Sequence, residues 1–173
     1  DRDFWLERWR TGQIGWHQED GHPFVERWWP ELESHAGVER FRRAFVPLCG
    51  ASPDMLWLRS RGTAVVGVDL APHAPHMFFD DAGLVPAVNR VCLFERWSVD
   101  EIELLVGDFF DVDADSIGRF DALYDRAALV AMPPSARARY VEKIGALSAV
   151  GTRGLLVALE YDAAASGPPF PVA

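Results

Sequence analysis

Residues 44–70, AFVPLCGASPDMLWLRSRGTAVVGVDL, decide the fold. Ala44 to Leu48 is a short apolar run closed by Cys49 and Gly50, and it reads as a strand entering a tight turn. Ser52 is placed to cap a helix, Pro53 to take its first position and Asp54 to sit in its positive first turn. Met55, Leu56, Trp57 and Leu58 supply apolar faces, and Gly62 ends the helix where a positive φ is expected. A second apolar run, Ala64 to Val68, ends in Asp69. Strand, helix and strand in this order make a right-handed βαβ unit of a parallel sheet. Such sheets bind ligands beyond the carboxyl ends of their strands, where Leu48, Cys49, Gly50 and Asp69 stand.

Working outward, the pattern continues on both sides. Phe4 to Arg10 reads as a helix with Trp5 and Trp9 on one face. Gly12 and Gly15 loosen the chain before a loop carrying Trp16, His17 and Gln18. A second helix is expected from about Pro23 to Glu33, with Phe24, Trp28 and Leu32 on one side and its end set by Pro30 or Gly37. After Asp69 a helix beginning at His73 places Pro75 in its first turn, where a missing N–H costs little; Gly83 closes it. Strands are expected at Cys92 to Trp97, Glu101 to Gly107, Phe120 to Tyr124 and Gly154 to Tyr161, and a helix opens at Pro133-Pro134-Ser135. Residues 111–118 read as an acidic, solvated loop, and Gly167 to Phe170 as a stiff one. Helices alternate with five clear strands and no internal repeat, which predicts a three-layer α/β/α sandwich of Rossmann-like type. Gly50, Asp69, Asp108 and Asp125-Arg126 close four successive strands and are expected to line one large cleft.

At 173 residues the chain is read as one domain, an N-terminal helical cover (1–40) over an α/β core (41–173). No run reaches the roughly 20 apolar residues of a membrane span. A net charge of −9 argues against sequence-independent binding to nucleic acid or anionic membranes. Cys49 and Cys92 lie in apolar contexts and are read as buried, reduced thiols, which points to the cytoplasm. No metal site is expected: His73 and His76 share a helix face, but neither cysteine stands near them in sequence.

An acid at the end of the second strand, 19 positions after Gly50, suits a carboxylate gripping ribose hydroxyls. The turn before it has one glycine and no phosphate cradle, which weakens the case for a dinucleotide or ATP. A nucleoside cofactor without phosphates remains, and S-adenosylmethionine fits that description.

Seven segments then carry a resemblance: FWLERWRTGQIGWHQ, FVPLCGASPDMLWL, VVGVDL, GDFFDV, FDALYDRAALVAMPP, LLVALEY and GPPFPV. In this order and spacing the chain resembles the thiopurine S-methyltransferase family, in its bacterial form. The resemblance implies a class I methyltransferase fold, S-adenosyl-L-methionine as cofactor with S-adenosyl-L-homocysteine as product, and a small-molecule thiol as substrate. By position it implies cofactor contacts at Trp9, Leu48, Gly50, Asp69 and Arg126, with Asp108 and Phe109 beside the adenine and Trp16 meeting the substrate. Arg126 is the expected catalytic residue, orienting the cofactor carboxylate or stabilising an anionic sulfur. Asp69 stands where the family usually has Glu, and Ala51 where it usually has Lys. Sheets of this family continue with two antiparallel strands after GLLVALEY, so a remainder beyond Ala173 is expected. A monomer is expected.

The chemistry agrees with this. Methyl transfer from a sulfonium is an in-line displacement, with the nucleophile held within about 3–3.5 Å of the methyl carbon. Aromatic thiols ionise readily, so no strong base is required; His17, beside Trp16, is the one histidine in position and is read as packed or solvated. The resemblance also implies methylation of selenium and tellurium compounds as a further activity. A thiol or halide methyltransferase, or a cofactor-binding module without catalysis, are the alternatives.

Overall fold

The computed structural model describes residues 2–161 and 168–172. Three helices and a strand open the order: α1 (Arg2–Arg10), α2 (Pro23–Ala36), β1 (Arg43–Pro47) and α3 (Asp54–Ser60). Then come β2 (Ala64–Asp69), α4 (His73–Asp81), β3 (Ala87–Val91), β4 (Phe94–Val99) and β5 (Ile102–Val106). A 3₁₀ turn (Phe109–Asp111), α5 (Ala114–Ile117), β6 (Ala122–Arg126), α6 (Ala128–Ala131), α7 (Pro134–Leu147) and β7 (Arg153–Val157) complete it. The seven strands form one sheet in the order β3-β4-β5-β2-β1-β6-β7. Its centre, β5-β2-β1-β6-β7, is parallel, and β3 and β4 are antiparallel.

Alternation along the central strands builds two cores, one on each side of the sheet. Ala44, Val46, Val65, Leu104, Ala122 and Tyr124 pack with Trp29, Met55 and Phe78 on the face that α2, α3 and α4 cover. Phe45, Val66, Val68 and Leu105 pack with Phe109, Leu129 and Tyr140 on the face of α6 and α7. This is the expected three-layer sandwich. Gly67 shows how tightly the first face is filled. A Cβ there would lie 2.6 Å from Cys49 Sγ and 3.0 Å from Met55 Sδ.

Several local expectations need correction. Ser52 does accept a hydrogen bond from the Asp54 N–H at 3.3 Å, but α3 starts at Asp54, with Pro53 as its cap residue. In α2 the buried stripe is Val25, Trp29 and Glu33, whereas Phe24 and Trp28 face water. Pro30 lies inside that helix, which continues to a left-handed Gly37 cap. The expected strand at Cys92 to Trp97 is the second arm of a hairpin, β3–β4, whose two-residue turn is Cys92-Leu93. Cys92 is therefore exposed and not buried, and both cysteines are free. Residues 111–118 are not wholly loop, because Asp113 and Ser116 form a reciprocal capping box around α5. No described residue after Val157 joins the sheet, so β7 is its edge. The expected loop at Gly167 and the end at Ala173 lie outside the described residues, apart from 168–172.

Candidate active site

Two backbone turns meet at the carboxyl ends of β1 and β2, and Asp69 ties them together. Its Oδ2 accepts the Gly50 N–H and its Oδ1 the Ala71 N–H, both at 2.9 Å. The Cys49 N–H also donates to the Val68 carbonyl at 3.0 Å. The turn is contorted, with Leu48 at φ 48° and Gly50 at φ 54°; a non-glycine residue in the left-handed region is uncommon and tends to mark a functional constraint. Asp69 is buried. Burial pushes its carboxyl above the ordinary aspartate range, and the N–H groups of Ala71, Gly50 and Leu70 hold it back. The same burial, with Asp69 beside it, pushes the Cys49 thiol well up. A carboxylate offers about four acceptor sites, so these backbone N–H groups leave Asp69 capacity for a further donor.

The N-terminal segment roofs this turn. A Cβ on Gly50 would meet Trp9 Cζ2 at 3.4 Å and Trp16 Nε1 at 3.9 Å, which places both indoles directly over it. Trp16 packs edge-on against Trp5 and Trp9, with ring centroids 5.2 and 6.0 Å apart. Arg126, at the end of β6, donates from Nη1 to the Trp16 carbonyl at 2.8 Å. Its Nε stands 3.7 Å from Asp54 Oδ2, and among the described residues that buried Nε has no hydrogen-bond partner. Arg126 thus pairs with neither Asp125 nor Asp108.

The expected residues divide. Leu48, Gly50, Asp69, Trp9, Trp16 and Arg126 come together around one turn. Asp108 caps the 3₁₀ turn by accepting the Phe110 N–H, and the Phe109 ring is buried against Phe45 and Tyr140. Asp125 leaves the expected cleft altogether. Along β6 its side chain points to the face opposite Tyr124, where it accepts from Ala128 and Leu129 N–H and from Tyr140 Oη at 2.6 Å. Burial raises both the Asp125 carboxyl and the Tyr140 phenol. A cavity of about 450 Å³ lies between the N-terminal segment, α3 and α4, with His17, Ala51 and Leu56 in its wall. His76 sits edge-on to Trp97.

Sequence reading missed Asp54 as a site residue. It is 1% exposed, and it accepts from Tyr124 Oη at 2.9 Å and from the His22 N–H at 2.6 Å. Burial, then the Asp54 charge, raises the Tyr124 phenol, with the Arg126 cation opposing. A period-two reading of β6 puts Tyr124 and Arg126 on one face, the face that α3 covers. That was the available signal.

A seven-stranded sheet with a parallel centre, an antiparallel β3–β4 edge and helices on both faces is the Rossmann-like fold of the class I S-adenosylmethionine-dependent methyltransferases. The sequence profile of the thiopurine S-methyltransferase (TPMT) family matches residues 1–173, and the chain belongs to that family. A thiopurine S-methyltransferase of Methylococcus capsulatus is 48% identical, covering 99% of this chain and 77% of its own length. One from Nitrosospira multiformis is 44% identical over 99% of this chain and 76% of its own. Among solved structures, the 1,6-didemethyltoxoflavin-N1-methyltransferase of Burkholderia thailandensis, with bound 1,6-didemethyltoxoflavin and S-adenosylhomocysteine, superposes with a TM-score of 0.63 at 20% identity. That match covers 93% of this chain and 62% of that one. The magnesium protoporphyrin IX methyltransferase of Synechocystis shares the fold at a TM-score of 0.52 and 13% identity, over 73% of this chain and 51% of that one.

Proposed function

We propose that this protein is a cytoplasmic, monomeric S-methyltransferase acting on thiopurine-like aromatic or heterocyclic thiols. When bound, S-adenosylmethionine supplies an activated methyl group on a sulfonium. The observation that carries the reading is Asp69: its carboxylate joins the two strand-end turns and keeps acceptor capacity, within reach of the glycine turn that Trp9 and Trp16 cover. In this reading Asp69 accepts the ribose hydroxyls, and Leu48 and Gly50 wall the methionine side beside Trp9. Asp108 and Phe109 lie beside the adenine. Arg126 offers a buried guanidinium with an unsatisfied Nε, suited to a cofactor carboxylate or a thiolate. Trp16 presents an indole to a flat heteroaromatic acceptor. The acceptor enters as a thiolate, the nucleophilic form of sulfur, so the chain's task is to hold it in line and exclude water. Selenium and tellurium nucleophiles are more polarisable than sulfur, and metalloid detoxification is included in the proposal as a physiological role.

The test is mass spectrometry of 6-mercaptopurine incubated with the protein and S-adenosylmethionine, alongside calorimetry with S-adenosylhomocysteine. A methyl thioether is expected. Substituting Asp69→Ala should weaken binding of the product nucleoside by about 10- to 100-fold, the loss expected for hydrogen bonds to a charged acceptor. Binding without any methylated product would overturn catalysis, turnover of iodide but not thiols would overturn the substrate class, and unchanged affinity in the variant would overturn the ribose role.

A further inference from the structure

Asp54 takes no part in the contacts that shape the Gly50 turn, yet it is buried in the first turn of α3. Three groups converge on it from two parts of the chain, the end of β6 and the N-terminal segment. Tyr124 Oη donates to Oδ2 at 2.9 Å, the His22 N–H donates to Oδ1 at 2.6 Å, and Arg126 Nε stands 3.7 Å from Oδ2. Arg126 also holds the Trp16 carbonyl. Segment 16–22 is therefore fastened at both ends, by Arg126 at Trp16 and by Asp54 at His22, and the two fasteners face one another. Gly21 shows how closely the segment passes: a Cβ there would lie 2.8 Å from Asp54 Oδ1, and its φ is +78°. Only glycine accepts both conditions without strain.

We infer that Asp54 is a positioning residue for methyl transfer: its carboxylate fixes the Arg126 guanidinium and, through Arg126 and His22, seats the Trp16 roof over the reacting groups. The inference rests on the role proposed above for Arg126. The Nε–Oδ2 separation is too long for a hydrogen bond, so charge is what Asp54 contributes to Arg126. Tyr124 orients the carboxylate; Trp29 of α2 packs edge-on against the Tyr124 ring, with centroids 6.2 Å apart. A neutral residue at position 54 would remove the charge that faces the guanidinium and leave it the Trp16 carbonyl and the Tyr124 hydroxyl. Small misplacements of an orienting group cost rate steeply, on the order of 100-fold for about 1 Å.

Asp54→Asn tests this, because an amide keeps the acceptor for His22 and the shape of the site while removing the charge facing Arg126. With an aromatic thiol, kcat should fall tenfold or more while KM for the thiol changes less than threefold. The double variant Asp54→Asn/Arg126→Lys should be no slower than Arg126→Lys alone, since Asp54 acts through Arg126; additive losses would overturn the inference. Hydrogen exchange of the amides at 17–22, read by mass spectrometry, should speed up in Asp54→Asn and in Arg126→Lys alike, and unchanged exchange would also overturn it. Tyr124→Phe, which removes one hydroxyl, should move both readouts in the same direction and carries the test if Asp54→Asn does not fold. If the wild-type protein methylates no thiol, the functional proposal fails, and hydrogen exchange alone decides the positioning role.

Discussion

Asp69 is buried and accepts from backbone N–H groups, and these two influences pull its acidity in opposite directions. Desolvation is the larger influence, so the folded carboxyl binds its proton more tightly than an unfolded aspartate does. The sign follows from linkage. Where the folded state holds more protons than the unfolded one, stability falls as pH rises. The contribution of Asp69 is thus lost as pH climbs from the unfolded aspartate value near 3.8 through the higher folded value. Replacing Asp69→Asn removes the titration and leaves a pH-independent offset from one orphaned N–H. The difference in Tm, variant minus wild type, should therefore grow more positive between about pH 4 and neutrality in a thermal melt series. A flat or falling difference would contradict the assignment. At this scale a residue's placement was readable where it depends on its strand alone, as for Gly50, Asp69 and Arg126 at the strand ends. Asp54 was not, because its partners lie 32 and 70 positions away, and their meeting depends on where the N-terminal segment folds back.

Among the elements, α2 shows why apolar spacing can name a helix and still miss its buried face. Phe24, Trp28 and Leu32 repeat every four residues, but Val25, Trp29 and Glu33 repeat as well, one step on. Trp29 wins the interior because it meets Phe41 and Tyr124 edge-on, while Glu33 is neutralised by Arg61 at 2.8 Å. Trp28 stays outside with Arg27 over its ring. Truncating Trp29→Ala should cost about 3–5 kcal/mol of unfolding free energy. Phe24→Ala and Trp28→Ala should each stay within about 0.5–1 kcal/mol. Urea denaturation of the three variants separates them, and equal losses would restore the outward face to the core. The β3 strand was illegible for a different reason. AVNRV is mostly exposed on both faces, so it carries neither an apolar run nor a clean alternation, and only pairing with β4 makes it a strand. Residues 111–118 hid a helix of one turn, too short for any periodicity to register.

For the molecule as a whole, the parallel centre, both cores and the crossover helices followed from apolar runs punctuated by glycine and proline, since burial on both faces leaves strands continuously apolar. What the pattern does not balance is the β7 edge. Among the described residues that strand pairs on one side only, with β6, and Leu156 is half exposed beside an apolar cavity of about 180 Å³ against α7. An exposed apolar edge invites pairing with another copy, and a net charge of −9 opposes it. The balance is set by screening. At about 0.15 M salt charges are felt over roughly 8 Å, and near 1 M over only about 3 Å. Self-association measured by sedimentation velocity should therefore rise with protein concentration and with added salt. Leu156→Lys places a charge on the edge itself, where salt screens it least because any incoming strand must desolvate it. The variant should stay monodisperse at salt levels where the wild-type chain associates; a wild-type chain that remains monodisperse at 1 M salt would show that the edge does not drive association, and a variant that associates as the wild type does would place the contact elsewhere.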